Sequence, residues 1–254
     1  MDIPCNVDTS TPSPVMQQPG HVSPPGQATD PPQLPPGCPP GLQYLTMVDQ
    51  LIIKQKVEVL EIVTGFETAN KYEVLNNLGQ NVYKAKEDSD CCTRNCCGSG
   101  RCLDMSITDL QGQEVIHLNR PLRCQECCFP CCLQEMEVSS PAGTVIGSIS
   151  QQWSILHPRL LIKDELGIPV LRIEGPCWTC SCFGSDVEFT VVSVQNGEQV
   201  GVITKQWTGL VKEVFTDADN YGINFPLDLD VKVKATLLGA LFLIDFMYFE
   251  HTDD

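Results

Sequence analysis

The sequence predicts an all-β fold, barrel or sandwich, closed by one hydrophobic C-terminal helix. Three observations carry this. Strand–glycine–strand units recur through the middle of the chain at regular spacing. No long amphipathic helix interrupts them. The last stretch, "KATLLGALFLIDFMYFEHTDD" from Lys234, is the one strongly apolar helical segment.

Residues 1–41 hold twelve prolines, no aromatic residue and no periodicity, so a disordered or polyproline-like leader is expected there. It lacks the basic-then-apolar order of a signal peptide. Pro32-Gln-Leu-Pro35 offers a PxxP site for an SH3-type partner, set against a plain spacer. The folded domain is expected over 42–254, beginning with a short helix between Leu42 and Gln50 and then a β-branched strand.

Hairpins follow. "YEVLNNLGQNVYKA" turns at Gly79, "LDMSITDLQGQEVIHL" at Gly112 and "LLIKDELGIPVLRI" at Gly167. Ala142-Gly143 and Asn196-Gly197 supply two further turns. "TVIGSISQQW" and "EQVGVITKQW" end at Trp153 and Trp207, about 54 residues apart. A closed barrel needs an apolar filling, and the C-terminal helix is the available candidate.

A net charge of −16 excludes ordinary nucleic-acid binding, which draws on lysine and arginine. It also excludes unaided attraction to an anionic leaflet, so membrane attachment would need an apolar, covalent or cationic link. The fifteen cysteines are odd in number, often adjacent, and follow no export signal, so they read as cytosolic thiols. For "RCQECCFPCCLQE", from Arg123, three readings stand: structural thiols, zinc ligation and reversible acylation of an exposed loop.

"DADNYGINFPLD" can be read as a twelve-residue calcium loop or as a solvated acidic turn. In the first reading Asp217, Asp219, Tyr221, Ile223, Phe225 and Asp228 stand at positions 1, 3, 5, 7, 9 and 12, with Gly222 at the sharp turn. Tyr and Phe at ligand positions and a closing Asp instead of Glu make such a site weak. The four histidines are scattered, and His117 reads as a structural strand residue. No nucleophile elbow, Walker loop, dinucleotide fingerprint or zinc-protease motif occurs, so no enzyme chemistry is expected.

Together "CPPGLQYL", "GFETANKYEV", "DCCTRNCCG", "RPLRCQECCFPCCLQEMEV", "GPCWTCSC", "KQWTG", "FTDADNYGINFPLDLDVKVKA" and "GALFLIDFMYFE" resemble the phospholipid scramblase family from about Cys38 to Glu250. The resemblance implies a tubby-like barrel of about twelve strands around a central C-terminal helix. It implies calcium-dependent, ATP-independent phospholipid movement between leaflets, with Ca2+ at the Asp217–Asp228 segment. The alternative is a palmitoyl-tethered adaptor without scrambling activity. Palmitoylation maps onto Cys127, Cys128, Cys131 and Cys132, with Phe129 where members often have another cysteine. Family topology is type II at the plasma membrane, with a cytoplasmic N-terminus and possible self-association. A nuclear-import segment aligns with "GVITKQWTGL" but keeps only Lys205, so import is not expected by that route.

The helix decides between membrane and core. Residues 235–249 reach about 22 Å at ~1.5 Å each, against a hydrocarbon core of ~30 Å. Eight Leu, Ile and Phe residues contribute roughly −4 kcal/mol to insertion, and Asp245 opposes it by about 2.5–3.5. Lys232 and Lys234 would snorkel in a span. Ala235, Leu238, Leu241, Phe242, Ile244, Asp245, Phe246 and Phe249 are the candidate membrane or core residues; for the protein in water the expectation is core, with a partner for Asp245.

Overall fold

Alternating side chains build the wall first. In the computed structural model, β4 (Leu103–Thr108) buries Leu103, Met105 and Ile107 completely, while Asp104, Ser106 and Thr108 face outward. The structure describes residues 37–56, 69–88, 101–123, 132–141, 143–177, 187–205 and 220–249. All of them belong to one compact unit, and the leader before Gly37 lies outside the described residues.

A 3-10 turn (Gln43–Met47) leads into β1 (Gln50–Lys56), as the short-helix-then-strand reading anticipates. The other strands are β2 (Lys71–Leu75), β3 (Asn81–Glu87), β5 (Glu114–Arg120), β6 (Glu135–Ser140), β7 (Thr144–Gln152), β8 (Arg159–Asp164), β9 (Pro169–Glu174), β10 (Val187–Ser193), β11 (Gln199–Lys205) and β12 (Asn220–Asn224). Each pairs antiparallel with its neighbours, and β1 pairs with β12 to close a twelve-stranded barrel. Closure leaves no edge strand among them.

Tight turns gather at one end. Asn76, Asp109 and Asp164 each accept two backbone N–H groups with Oδ1, from Leu78 and Gln80, Gln111 and Gln113, and Leu166 and Ile168. The glycine after each, Gly79, Gly112 or Gly167, takes the positive φ that closes the turn. The longer connections, β1–β2, β3–β4, β5–β6, β9–β10 and β11–β12, all leave and re-enter at the opposite end. We call these the turn end and the loop end.

The helix α1 (Val231–Ile244) starts at the turn end and runs through the barrel. Asp230 caps it, its Oδ1 accepting from the N–H groups of Lys232 and Val233. From Lys234 to Ile244 every residue is buried, and Asp245–Phe249 continue in wider π-type winding. The core reading of Leu238, Leu241, Phe242, Ile244, Phe246 and Phe249 therefore holds, and the helix begins four residues before Ala235. The single-pass, type II reading of this segment is not supported: among the described residues no helix is long and apolar enough to cross a membrane.

Glycine lets α1 approach β7. A Cβ on Gly147 would lie 2.4 Å from Thr236 Oγ1 and 2.9 Å from the Lys163 carbonyl oxygen. Gly147→Ala should thus destabilise the fold by about 1–3 kcal/mol through overpacking. Thermal unfolding followed by circular dichroism checks this, a lowered Tm being the expected result.

Candidate functional site

Two buried polar groups fix the helix at its ends. At the turn end the Lys234 side chain is fully buried, and its Nζ donates to the carbonyls of Leu45 (3.0 Å), Val48 (2.8 Å) and Leu227 (2.8 Å). The Phe225 ring lies 5.0 Å from the same nitrogen. Burial lowers the lysine pKa, against the opposing pull of Asp49 and Asp228. Lys234 is therefore no snorkelling anchor but a tie between the helix, the 3-10 turn and the β12–α1 turn. Lys232 does reach the surface, where it pairs with Glu165.

At the loop end Asp245 is 5% exposed and accepts a 2.7 Å hydrogen bond from the Tyr72 hydroxyl. This meets the expectation that a carboxylate in the barrel has a partner. Nearby, Arg101 forks onto Glu87 at 2.6 and 3.1 Å, both fully buried, and stacks 4.8 Å from the Phe246 ring. Arg120 donates to the Arg101 carbonyl, and Lys205 lies 4.6 Å from the Phe249 ring. These cations surround the helix C-terminus, where the dipole favours positive charge. Sequence reasoning missed Arg101, Arg120 and Glu87. Their signal was a charged residue on the inward beat of an alternating strand, as in Glu87 on β3 and Arg120 on β5.

The acidic segment is not a compact loop over its described part. Asp217 and Asp219 lie outside the described residues. Tyr221 and Ile223 are buried strand residues in register with Ile53 and Leu51 on β1 and with Lys205 and Ile203 on β11. Gly222 sits between them within β12, and Phe225 is buried beneath Lys234. Asp228 is exposed on the β12–α1 turn. The alternation Tyr-Gly-Ile-Asn-Phe is strand periodicity, and here it prevails over the acidic spacing. Carrying the chain ~13 Å from Asn220 to Asn224, the strand separates what precedes it from Asp228. Among the described residues no group of three or more His, Cys, Asp or Glu side chains is placed to hold a metal ion. The described residues therefore do not fit a closed calcium cage.

Of the acylation candidates, Cys127, Cys128 and Cys131 lie outside the described residues. Cys132 is half-buried just before β6, with its carbonyl accepting from Gln134 Nε2 at 3.2 Å. Cys38 and Cys102 carry free thiols. Burial and then Asp230 push the Cys38 thiol pKa up, which suppresses its thiolate. His117 lies on β5 between Asp104 (3.4 Å) and Glu114 (3.3 Å), as a structural strand residue would.

What these elements define is a barrel whose apolar filling is its own helix, pinned at both ends by buried ionisable groups. A family model described as Scramblase matches residues 28–251. The chain is 57% identical over 243 residues to phospholipid scramblase 2 of Bos taurus, covering 94% of this chain and 83% of that one. It is 57% identical over 221 residues to phospholipid scramblase 1 of Homo sapiens, covering 87% and 69%. Against phospholipid scramblase 1 of Rattus norvegicus it is 54% identical, covering 94% and 72%. The chain belongs to the phospholipid scramblase family.

Two outcomes follow from the end ties. Lys234→Met removes the donor to three carbonyls, of which that of Leu45 is buried and those of Val48 and Leu227 part-buried, and should cost at least about 2 kcal/mol, a buried carbonyl left unpaired being worth about 1–3. Because burial lowers the lysine pKa in the fold, the unfolded chain binds more protons between that lowered value and about 10.4. Stability due to Lys234 should rise with pH across that window and stay flat below it. Urea unfolding of wild type and variant at a series of pH values checks both, the slope difference vanishing in the variant. Separately, Tyr72→Phe should cost about 1–3 kcal/mol in the same assay by removing a donor to buried Asp245.

Proposed function

We propose that this chain moves phospholipids between the two leaflets of a membrane, without bond-making chemistry and without ATP. The observation that carries this reading is identity of 57% across 94% of the chain to a protein named phospholipid scramblase. The site geometry adds a physical restriction. With Lys234–Ile244 buried in the barrel, the helix enters a bilayer only if the wall opens and its apolar lining meets water. Each Leu, Ile or Phe so exposed costs about 1.5–3 kcal/mol. Lipid exchange through an intact barrel therefore acts at its surface, and perturbation of the bilayer by a docked protein is the mode most compatible with the packing.

Calcium activation belongs to the proposal. Exposed Asp228 would present a carboxylate to the ion at a weak, open site, and Asp217 and Asp219, which precede β12 in the sequence, would offer theirs apart from it. Palmitoylation of Cys127, Cys128, Cys131 and Cys132 would provide the apolar link that a chain of net charge −16 needs, since stable anchoring takes more than one acyl chain. An SH3-type partner at Pro32–Pro35 and self-association complete the proposed partners.

A second reading is supported by the same packing: a helix buried as core needs no bilayer, so an acyl-tethered adaptor that binds membrane without exchanging lipid has equal structural footing.

Leaflet exchange of a fluorescent phospholipid in reconstituted vesicles separates the two. The expected outcome is exchange that rises with calcium and falls at least about tenfold in Asp217→Asn with Asp228→Asn, one carboxylate pair being worth more than 1.4 kcal/mol of ion binding. Exchange unchanged by chelator refutes the calcium arm. Absent exchange in folded, vesicle-bound protein establishes the adaptor.

A further inference from the structure

The β10–β11 hairpin turns through Ser193-Val194-Gln195-Asn196-Gly197-Glu198, all of them described residues. Asn196 is exposed, and Gly197 follows it with a φ of +71°. Every other asparagine in the chain is followed by a residue with a side chain. That difference is chemical. The backbone nitrogen after an asparagine can attack the side-chain Cγ, and a Cβ on its residue hinders the approach. Gly197 has no Cβ, and the space one would occupy holds no atom within 4 Å, so water reaches this flank of the backbone.

The reaction balances with water alone. The Gly197 nitrogen loses its proton to a solvent base and bonds to Asn196 Cγ. The Cγ–Nδ2 bond then breaks, and Nδ2 leaves as ammonia with a proton from water. The product is a cyclic imide. Water opens it at the side-chain carbonyl to give aspartate, or at the backbone carbonyl to give isoaspartate, whose main chain runs through Cβ. Water enters, ammonia leaves, nothing is oxidised, and the chain gains a negative charge.

The closed hairpin opposes each part of this. The Gly197 N–H that must lose its proton donates to the Ser193 carbonyl at 2.9 Å. Asn196 Nδ2 donates to Glu198 Oε2 at 2.7 Å, and Asn196 Oδ1 accepts from the Glu198 N–H at 3.1 Å. Both polar ends of the carboxamide are thus tied to residue 198. The Ser193 N–H donates to the Glu198 carbonyl at 2.8 Å and closes the ladder beneath. Attack needs the carboxamide to swing onto the Gly197 nitrogen, so these bonds break first.

We propose that Asn196–Gly197 is a self-modification site held in check by the closed β10–β11 hairpin, its conversion to aspartate and isoaspartate being a permanent mark of local opening of the barrel wall. Reclosure does not undo it, because the ammonia has gone. Isoaspartate also lengthens the main chain of a turn whose pairing is set by loop length, so β10 and β11 pair less well afterwards. β10 carries Phe189 and Val191 into the core, and Phe189 packs on Phe249 at the helix end. This chemistry stands apart from lipid movement and holds however the chain meets a membrane.

The test incubates the full chain at mildly alkaline pH with reductant, native and in guanidinium chloride. Peptide masses and enzymatic isoaspartyl labelling read conversion at Asn196. The expected result is conversion at least about tenfold slower in the native chain, the factor that breaking one or two such hydrogen bonds sets. With guanidinium below the unfolding transition, native conversion should rise in step with hydrogen exchange of the Gly197 amide, since both read the open hairpin. Glu198→Ala, which frees Nδ2, should narrow the gap between native and denatured rates severalfold while circular dichroism is unchanged. Asn196→Gln should abolish conversion at this position in both states. Equal rates in the native and denatured chain overturn the inference by removing the gate. Absent conversion in guanidinium chloride overturns it by removing the site. Native conversion that does not follow Gly197 exchange also overturns it, because opening is then not what releases the reaction.

Discussion

A closed barrel must be filled, and in this protein the filling is a helix apolar on every side. The rest of the structure depends on that one fit. A helix without a polar face has no rotational preference from hydrophobicity alone, so something else must set its position. Lys234 and Asp245 supply it, eleven residues and about 16 Å apart at ~1.5 Å per residue. One is held by three carbonyls at the turn end and the other by the Tyr72 hydroxyl near the loop end. A slip of one residue along the axis breaks both sets at once. Polar groups buried at the ends thus specify what the apolar middle only stabilises.

The wall answers the helix residue by residue. Gly147 on β7 admits Thr236, and Gly239 on the helix lies close to Leu118, Val138 and Ile149 on three successive inner faces. Small residues appear where helix and wall approach closely, and aromatic residues fill the space toward the loop end, as with Phe242 against Tyr72 at 5.0 Å and Phe249 against Phe189 at 6.2 Å. The mouth at that end also holds Arg101, Arg120 and Lys205. Tight turns need little sequence and keep the opposite end closed. Length, cysteine and the exposed tryptophan loop accumulate at the mouth.

Much of this was legible in the sequence because period-two alternation and turn chemistry are local. Gly79, Gly112 and Gly167 announced their hairpins through the preceding Asn or Asp and through the Gly itself. The apolar run announced a buried helix, and its single carboxylate announced a partner. Three things were less legible, for distinct physical reasons. The start of the helix depended on Asp230 as a cap, a signal hidden by the acidic residues around it. Lys234 looked like a surface cation because its three acceptors come from positions 45, 48 and 227, which no local pattern links to it. The stretch around Gly222 carried two conflicting signals, acidic spacing and apolar alternation. Pairing with both β1 and β11 settled it as strand, since a central strand gains two ladders where a loop gains none.

The same economy constrains how such a protein acts on lipid. A helix leaving the barrel would exchange protein contacts for lipid contacts at little gain, since both surroundings are apolar. The wall would lose its partner and turn residues such as Leu51, Ile53, Met105, Ile107 and Ile149, all now fully buried, toward water. Lys234 and Asp245 would lose their hydrogen bonds in the same step. The balance is set by the wall, and it favours keeping the helix inside. Among the described residues, the end of the helix at the mouth is where the core reaches the surface without unfolding. Met247 and Tyr248 are half-buried there and line one groove with Trp153 and Ile155 of the β7–β8 connection. Any contact made at Met247 or Tyr248 bears on the packing of the whole barrel, because these residues continue directly from the helix that fills it.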